Sequence, residues 1–285
     1  PDSNYPLHVT AKKYWLPAFE AHWNDIDALT LILLHSTSFH KEIWEPTIQW
    51  MFEIIALRSA YAGSSVLKVK CAWAIECPNH GQSAVLNEAA LQQPPYFRNF
   101  GCEKYAEAVH RFMTSGGTLS PPVDFSTQKL VGIGHSLGGV AVSILQVLQP
   151  VFHFQGLVLV EPLLSPQGLK PLRPLQKHLI QSAYDRREVW PSRKDALEYF
   201  TSKRHITHWD PHVIDLYVKF GLRSHQETQH ATTLTEWVSL ACSREEEATM
   251  YRDPLGPGRG LEALNKVCGR IPVSVIFGGE NDLMY

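Results

Sequence analysis

The sequence is short of charge of either sign in excess. Its 285 residues carry 26 Lys and Arg against 28 Asp and Glu, a formal net charge of -2. That balance gives no electrostatic reason to expect a nucleic acid or an anionic membrane as partner. Cysteine is sparse and scattered: Cys71, Cys77, Cys102, Cys242 and Cys268 are odd in number, and none forms a CxxC pair. Neither a disulfide framework nor a zinc site is signalled, and a reducing compartment fits best. No run of about 18 apolar residues, long enough to span a bilayer, occurs. The first residues, Pro1-Asp2-Ser3-Asn4, lack the basic-then-apolar pattern of a signal peptide. Internal repeats and low-complexity tracts are missing too. These absences predict a soluble, intracellular protein, needing no metal or cofactor, whose partner is a small and largely apolar molecule. Oligomeric state is not legible at this level.

What is present is a series of short apolar runs, each ending in Gly, His, Pro or Asp, alternating with stretches of helical period. The runs are Leu29 to Leu34, Val66 to Ile75, Leu130 to Ile133, Leu157 to Val160 and Val273 to Phe277. Helical candidates lie near Trp44 to Leu57, Tyr105 to Met113 and Gly138 to Leu148. This alternation is the grammar of an α/β fold, a mostly parallel sheet with helices on both faces. From about Ser165 to Cys268 the strand signal stops, and amphipathic stretches such as Leu175 to Tyr184, Ala196 to Phe200 and Val213 to Phe220 take over. The reading is a core over residues 1–164, a helical cap insertion without its own sheet over 165–268, and a return to the core over 269–285.

One segment carries chemistry. Leu130-Val131-Gly132-Ile133 is an apolar strand, Gly134-His135-Ser136-Leu137-Gly138 is a GxSxG pentapeptide, and Val140 to Leu145 is helix-forming. The bare pentapeptide is weak, but strand and helix on either side are the context it requires. A serine nucleophile must stand on a strained strand-to-helix turn, and glycines two residues to either side leave room for that turn. The turn lifts Ser136 Oγ off the sheet and aims the Leu137 amide and the positive helix end at a developing oxyanion. Ser136 is therefore read as the nucleophile of a serine hydrolase on the α/β-hydrolase fold.

A second oxyanion donor comes from the loop after an earlier strand, usually written His-Gly-x. The corresponding residues are His35-Ser36-Thr37-Ser38-Phe39-His40, with Ser36 in the glycine's place. The Thr37 amide is the candidate donor, with Ser36 or Ser38 as alternatives. The later loop Glu76-Cys77-Pro78-Asn79-His80-Gly81-Gln82-Ser83 reads as structural, and His80 as a packing or hydrogen-bonding histidine.

Chain order in such sites is Ser, then acid, then His. Two carboxylates end strand-like runs beyond Ser136: Glu161 in Leu157 to Pro162, and Asp282 in Phe277 to Asp282. Either could hold an imidazole in the correct tautomer. Only Leu283, Met284 and Tyr285 follow Asp282, so the histidine is expected beyond Tyr285, in a longer protein. Failing that, the base would come from His205, His208, His212, His225 or His230 in the cap, or the protein would be a non-catalytic binder.

The segments His35 to Pro46 (HSTSFHKEIWEP), Asn79 to Glu88 (NHGQSAVLNE), Gly132 to Gly139 (GIGHSLGG), Leu157 to Pro162 (LVLVEP) and Trp209 to Leu222 (WDPHVIDLYVKFGL) together resemble the fungal α/β hydrolases of toxin and polyketide biosynthesis. That group includes peroxisomal acyl-CoA hydrolases acting on meroterpenoid intermediates. The resemblance implies hydrolysis of a bulky acyl ester or thioester, a cytoplasmic or peroxisomal location, and an acid directly after the strand that follows the nucleophile. It favours Glu161 over Asp282, although this chain has Glu where the pattern usually has Asp. A lactonase, opening a cyclic ester by the same chemistry, is the alternative within enzymes.

Overall fold

A computed structural model describes residues 5–61, 67–165, 170–204, 206–225 and 237–279 of the chain. Its frame is a six-stranded sheet. In chain order the first elements are β1 (Ala11–Tyr14), β2 (Leu29–Leu34), α1 (Glu45–Tyr61), β3 (Val69–Ile75), α2 (Gly81–Leu91) and α3 (Cys102–Thr114). They are followed by β4 (Lys129–His135), α4 (Leu137–Leu145) and β5 (Phe154–Val160). The frame closes with α9 (Gly256–Val267) and β9 (Val273–Ile276). Strand order is β1-β3-β2-β4-β5-β9, and every pairing is parallel except β1 with β3.

The period of two explains the two cores. Along β2, Leu31 and Leu33 face one side and pack with Trp44, Ile48 and Phe52 beneath α1. Ile32 and Leu34 face the other and join Tyr105, Val109 and Phe112 of α3 and Val140 and Ile144 of α4. A strand covered on both faces can be apolar throughout, which is why LTLILL shows no alternation. The expected strands are all present, and Leu29–Leu34 matches end to end. The short antiparallel edge strand β1 and the helix α2 were not foreseen.

The segment between β5 and β9 holds α5 (Arg173–Asp185), β6 (Val189–Trp190), α6 (Arg193–Thr201), α7 (Pro211–Phe220), β7 (Leu222–Ser224), β8 (Val238–Leu240) and α8 (Arg244–Arg252). The three expected helices are there, each starting a residue or more earlier than the apolar period showed. Caps explain the starts of α7 and α6: Asp210 accepts from the His212 amide at 2.8 Å, and Ser192 from the Asp195 amide at 3.1 Å. The expectation that this insertion has no sheet is corrected, because β6, β8 and β7 form a three-stranded antiparallel sheet. Strands of two or three residues are too short to show a period. The insertion has its own core around Trp190, Phe200, Ile214, Tyr217, Leu222 and Leu240. No helix among the described residues is long and apolar enough to cross a membrane.

Candidate active site

Register places the site. Leu34 pairs with Gly134 and His135 with Val160, so β2, β4 and β5 end side by side. Ser136 follows β4, the loop His35 to His40 leaves β2 on one side, and Glu161 leaves β5 on the other. Ser136 has φ 53° and ψ -120°, immediately before α4. Its amide is fixed by the Val160 carbonyl at 2.8 Å, and its carbonyl receives the Gly139 amide at 3.0 Å. The neighbouring glycines are required by contact. A Cβ on Gly134 would lie 2.5 Å from the Gly138 carbonyl oxygen, and one on Gly138 would lie 2.4 Å from that of Leu34 and 2.5 Å from that of His35. The backbone entering the first loop therefore presses directly on the turn that carries Ser136.

The Leu137 amide is at the first position of α4, where no carbonyl of the same helix can reach it. In the facing loop Thr37 is buried, and its amide makes no hydrogen bond to the described residues. The Ser38 amide is already spent, donating to His80 Nε2 at 3.0 Å, which removes it from the candidate donors. Ser38 has φ 73°, a left-handed conformation unusual for serine. The Thr37 hydroxyl is buried without a hydrogen-bond partner among the described residues, so polar capacity remains on this side of Ser136.

Glu161 is exposed, with φ 46°, and its amide donates to the Ile276 carbonyl at 2.9 Å. Its Oε1 accepts the Gly278 amide, which ties the side chain across the ends of β5 and β9. His135 packs on Phe39 with ring centroids 6.4 Å apart. Burial lowers the His135 pKa, and the nearby Glu161 carboxylate opposes that shift. Asp282, His205 and His230 lie outside the described residues. His208 and His212 are exposed, and His225 ends the strand region of β7. Among the described residues, no histidine is hydrogen-bonded to Ser136 or Glu161.

His35 and His80 are committed to structure. His35 Nδ1 donates to the Ser36 carbonyl at 2.8 Å while Nε2 accepts the Cys77 amide at 3.0 Å. Both rings are neutral: burial drops His35 to a pKa of about 4 and pushes His80 well below the usual histidine range. Because the folded value for His35 lies below the ordinary 6.5, the stability it secures is complete above pH 6.5 and is lost as pH falls through 4. The amount is on the order of 3 kcal/mol. Urea midpoints measured from pH 7 to 4.5 should fall accordingly, and His35→Asn should flatten that slope; an unchanged slope would remove His35 as its source.

Sequence reasoning missed a buried ionic cluster beneath the loop. Lys41 Nζ lies 3.3 Å from Glu76 Oε2 and 3.1 Å from Glu42 Oε1, and all three residues are buried. Burial would raise the Glu42 carboxyl, but the His40 hydrogen bond and the Lys41 charge outweigh it and hold the pKa at about 2. Glu76 also accepts the Thr10 hydroxyl at 2.7 Å and the Ser83 amide at 2.8 Å. Gly81, at φ 51°, is needed here, since a Cβ would sit 2.2 Å from Glu76 Oε1. The available signal was the run His40-Lys41-Glu42, three polar residues directly before a helix with a buried apolar face.

An apolar pocket lined by Leu137, Leu163, Leu172, Leu175, Met250 and Tyr251 adjoins the turn, with a free volume of ≈ 10 Å³, room for about one water. A wider cavity of ≈ 300 Å³ between α2 and the small sheet is lined by Glu88, Arg223, Ser239 and Glu246, not by Ser136. Of the insertion's aromatic residues, Trp190, Phe200 and Tyr217 are buried in its own core.

The chain belongs to the α/β hydrolase family, whose profile matches residues 31–273. It is 32% identical over 172 residues to the abhydrolase domain-containing protein AFT2-1 of Alternaria alternata, covering 55% of this chain and 62% of that protein. It is 27% identical over 204 residues to the type I acyl-CoA thioesterase mpaH of Penicillium roqueforti, covering 69% of this chain and 40% of the relative. The chain thus spans less than two thirds of either curated relative. Among solved structures, the peroxisomal α/β-hydrolase Lpx1 of Saccharomyces cerevisiae superposes with a TM-score of 0.68 at 18% identity, covering 98% of this chain and 77% of that one. The thioesterase domain from the curacin biosynthetic pathway gives 0.58 at 14% identity, covering 98% and 86%.

Proposed function

We propose that the protein is a serine hydrolase that cleaves the ester or thioester bond of a bulky apolar acyl substrate through an acyl-enzyme. The observation that carries this reading is the conformation of Ser136, at positive φ between β4 and α4, with flanking glycines that have no room for a side chain. Ser136 Oγ attacks the carbonyl, and the Leu137 and Thr37 amides receive the oxyanion from the two sides of the turn. Glu161 orients the imidazole that takes the serine's proton. That histidine is expected beyond Tyr285.

The thioester is favoured by mpaH, whose name describes an acyl-CoA thioesterase. The leucines and Met250 beside Leu137 suit an acyl chain, and its entry requires side chains of α5 or α8 to move apart, since the pocket holds about one water as it stands. A cytoplasmic or peroxisomal setting accords with such a substrate. The proposed layout is a hydrolase core over 1–164 and 269–285 with the insertion 165–268 between, its last helix, α9, packed on the core beside α4. A fluorophosphonate probe tests the reading: the full-length chain should be labelled and Ser136→Ala should not. Failure to label the wild type, or equal labelling of the variant, would sink it.

A further inference from the structure

Four groups connect α8 to the loop that supplies the Thr37 amide. Glu246 Oε2, on α8, accepts from Asn79 Nδ2 at 3.0 Å. Asn79 Oδ1 accepts from His80 Nδ1 at 2.7 Å and from the Cys77 thiol at 3.0 Å. His80 Nε2 accepts the Ser38 amide at 3.0 Å. Asn79 and His80 have no solvent exposure, and Glu246 is buried. Each donor direction is forced: an amide N–H can only donate, so His80 Nε2 must be bare and Nδ1 must carry the proton. The chain of bonds ends on Ser38 at φ 73°, the residue next to Thr37.

We propose that Asn79, His80 and Glu246 are positioning residues, a single hydrogen-bond chain that holds the Ser38 backbone in its left-handed conformation and so sets the Thr37 amide toward the oxyanion. The assignment rests on the serine hydrolase reading of Ser136. A proton on His80 Nε2 would oppose the Ser38 N–H and break the chain at the loop. The groups facing His80 keep that proton off: burial acts first, the Arg186 cation adds to it, and a proton on His35 or His40 would oppose it further. The His35 and His80 rings have their centroids 5.3 Å apart. Of the buried acids on α8, Glu246 is separated from the imidazole by the neutral Asn79 amide, and Glu247 is paired with Arg186 at 2.9 Å.

Asn79→Asp tests this. It places an anion on His80 Nδ1, raises the affinity of the ring for a second proton, and so converts a silent histidine into one that titrates. On a p-nitrophenyl acyl ester, the acid limb of kcat should move up by at least one pH unit with KM changed less than threefold. At neutral pH kcat should fall between about 10- and 100-fold, less than the full loss of an oxyanion donor. The introduced carboxylate also faces that of Glu246. In the double variant Asn79→Asp/Glu246→Gln the new amide at position 246 donates to the new carboxylate at position 79, so this protein should fold like wild type and keep the shifted limb. Glu246→Gln alone still accepts from Asn79 and should keep kcat within twofold, whereas Glu246→Leu should lose about tenfold. A merely structural contact would change stability in these variants and leave the pH profile in place. An unshifted limb in a double variant that still takes a fluorophosphonate label overturns the positioning role alone. A wild-type chain that neither labels nor turns over the ester overturns the hydrolase reading and the positioning role with it.

Discussion

Glu161→Gln is expected to lower kcat on an acyl ester by about 10⁴-fold, the scale on which a charge-neutral replacement of the acid in a Ser-His-acid site acts. The substitution keeps the side chain's length and its acceptor oxygen, so the bond from the Gly278 amide survives. Glu161 is exposed, and its loss should leave the melting temperature unchanged. What disappears is the negative charge at the end of β5, one strand away from Ser136. Without it an imidazole is free to take the wrong tautomer, and its charged form is not stabilised. Asp282→Asn is the matched comparison. Should Glu161→Gln stay within tenfold of wild type while Asp282→Asn is folded and inactive, the acid is the later carboxylate. Parallel pH profiles of kcat and thermal melts separate loss of charge from loss of structure.

Lys41→Met is expected to destabilise the protein by about 3–5 kcal/mol, the usual cost of leaving one partner of a buried ion pair alone. Glu76 has no exposure at all, and its hydrogen bonds from Thr10, Ser83 and the Lys41 amide do not supply a positive charge. Glu42 loses the same cation. In a chain of this size the loss corresponds to a fall in melting temperature of roughly 10 °C. Adding Glu76→Gln to Lys41→Met should recover part of it, because the stranded charge is then removed. A melting temperature within 2 °C of wild type for Lys41→Met would show that the cluster carries little net stability. The variant should also weaken turnover, since Lys41 is the second residue after Phe39 in the loop bearing Thr37.

The frame was legible because its signals are local. Leu29 to Leu34 and Leu130 to Leu145 each declare strand, turn and helix within a few residues, and the glycines around Ser136 report a crowding that the structure shows directly. The small sheet of the insertion was not legible, since Val189–Trp190, Leu222–Ser224 and Val238–Leu240 pair across long sequence separations and are too short to be periodic. The polar chain was hidden for a different reason. Glu245, Glu246 and Glu247 read as an acidic first turn following the Ser243 cap, an ordinary solvated helix start. Only tertiary packing buries Glu246 and Glu247, and nothing in a helical period distinguishes a carboxylate that meets Asn79 from one that meets water. His80 is a hydrogen-bonding histidine, as its loop suggests, but its partner follows from the positive φ of Ser38, which sequence does not announce.

The attachment of α8 bears on how the molecule comes apart. Buried polar links run from this helix to the sheet's loops, Glu246 accepting from Asn79 Nδ2 at 3.0 Å. Breaking them separately would strand charges without water, so insertion and core should melt in one calorimetric transition. Amides of α8 should then exchange with deuterium as slowly as those of β2. For the same reason, a chimera that grafts another family member's insertion onto this core inherits a matching problem at Asn79, and a swap that ignores it should yield insoluble protein whatever pocket it was meant to transfer.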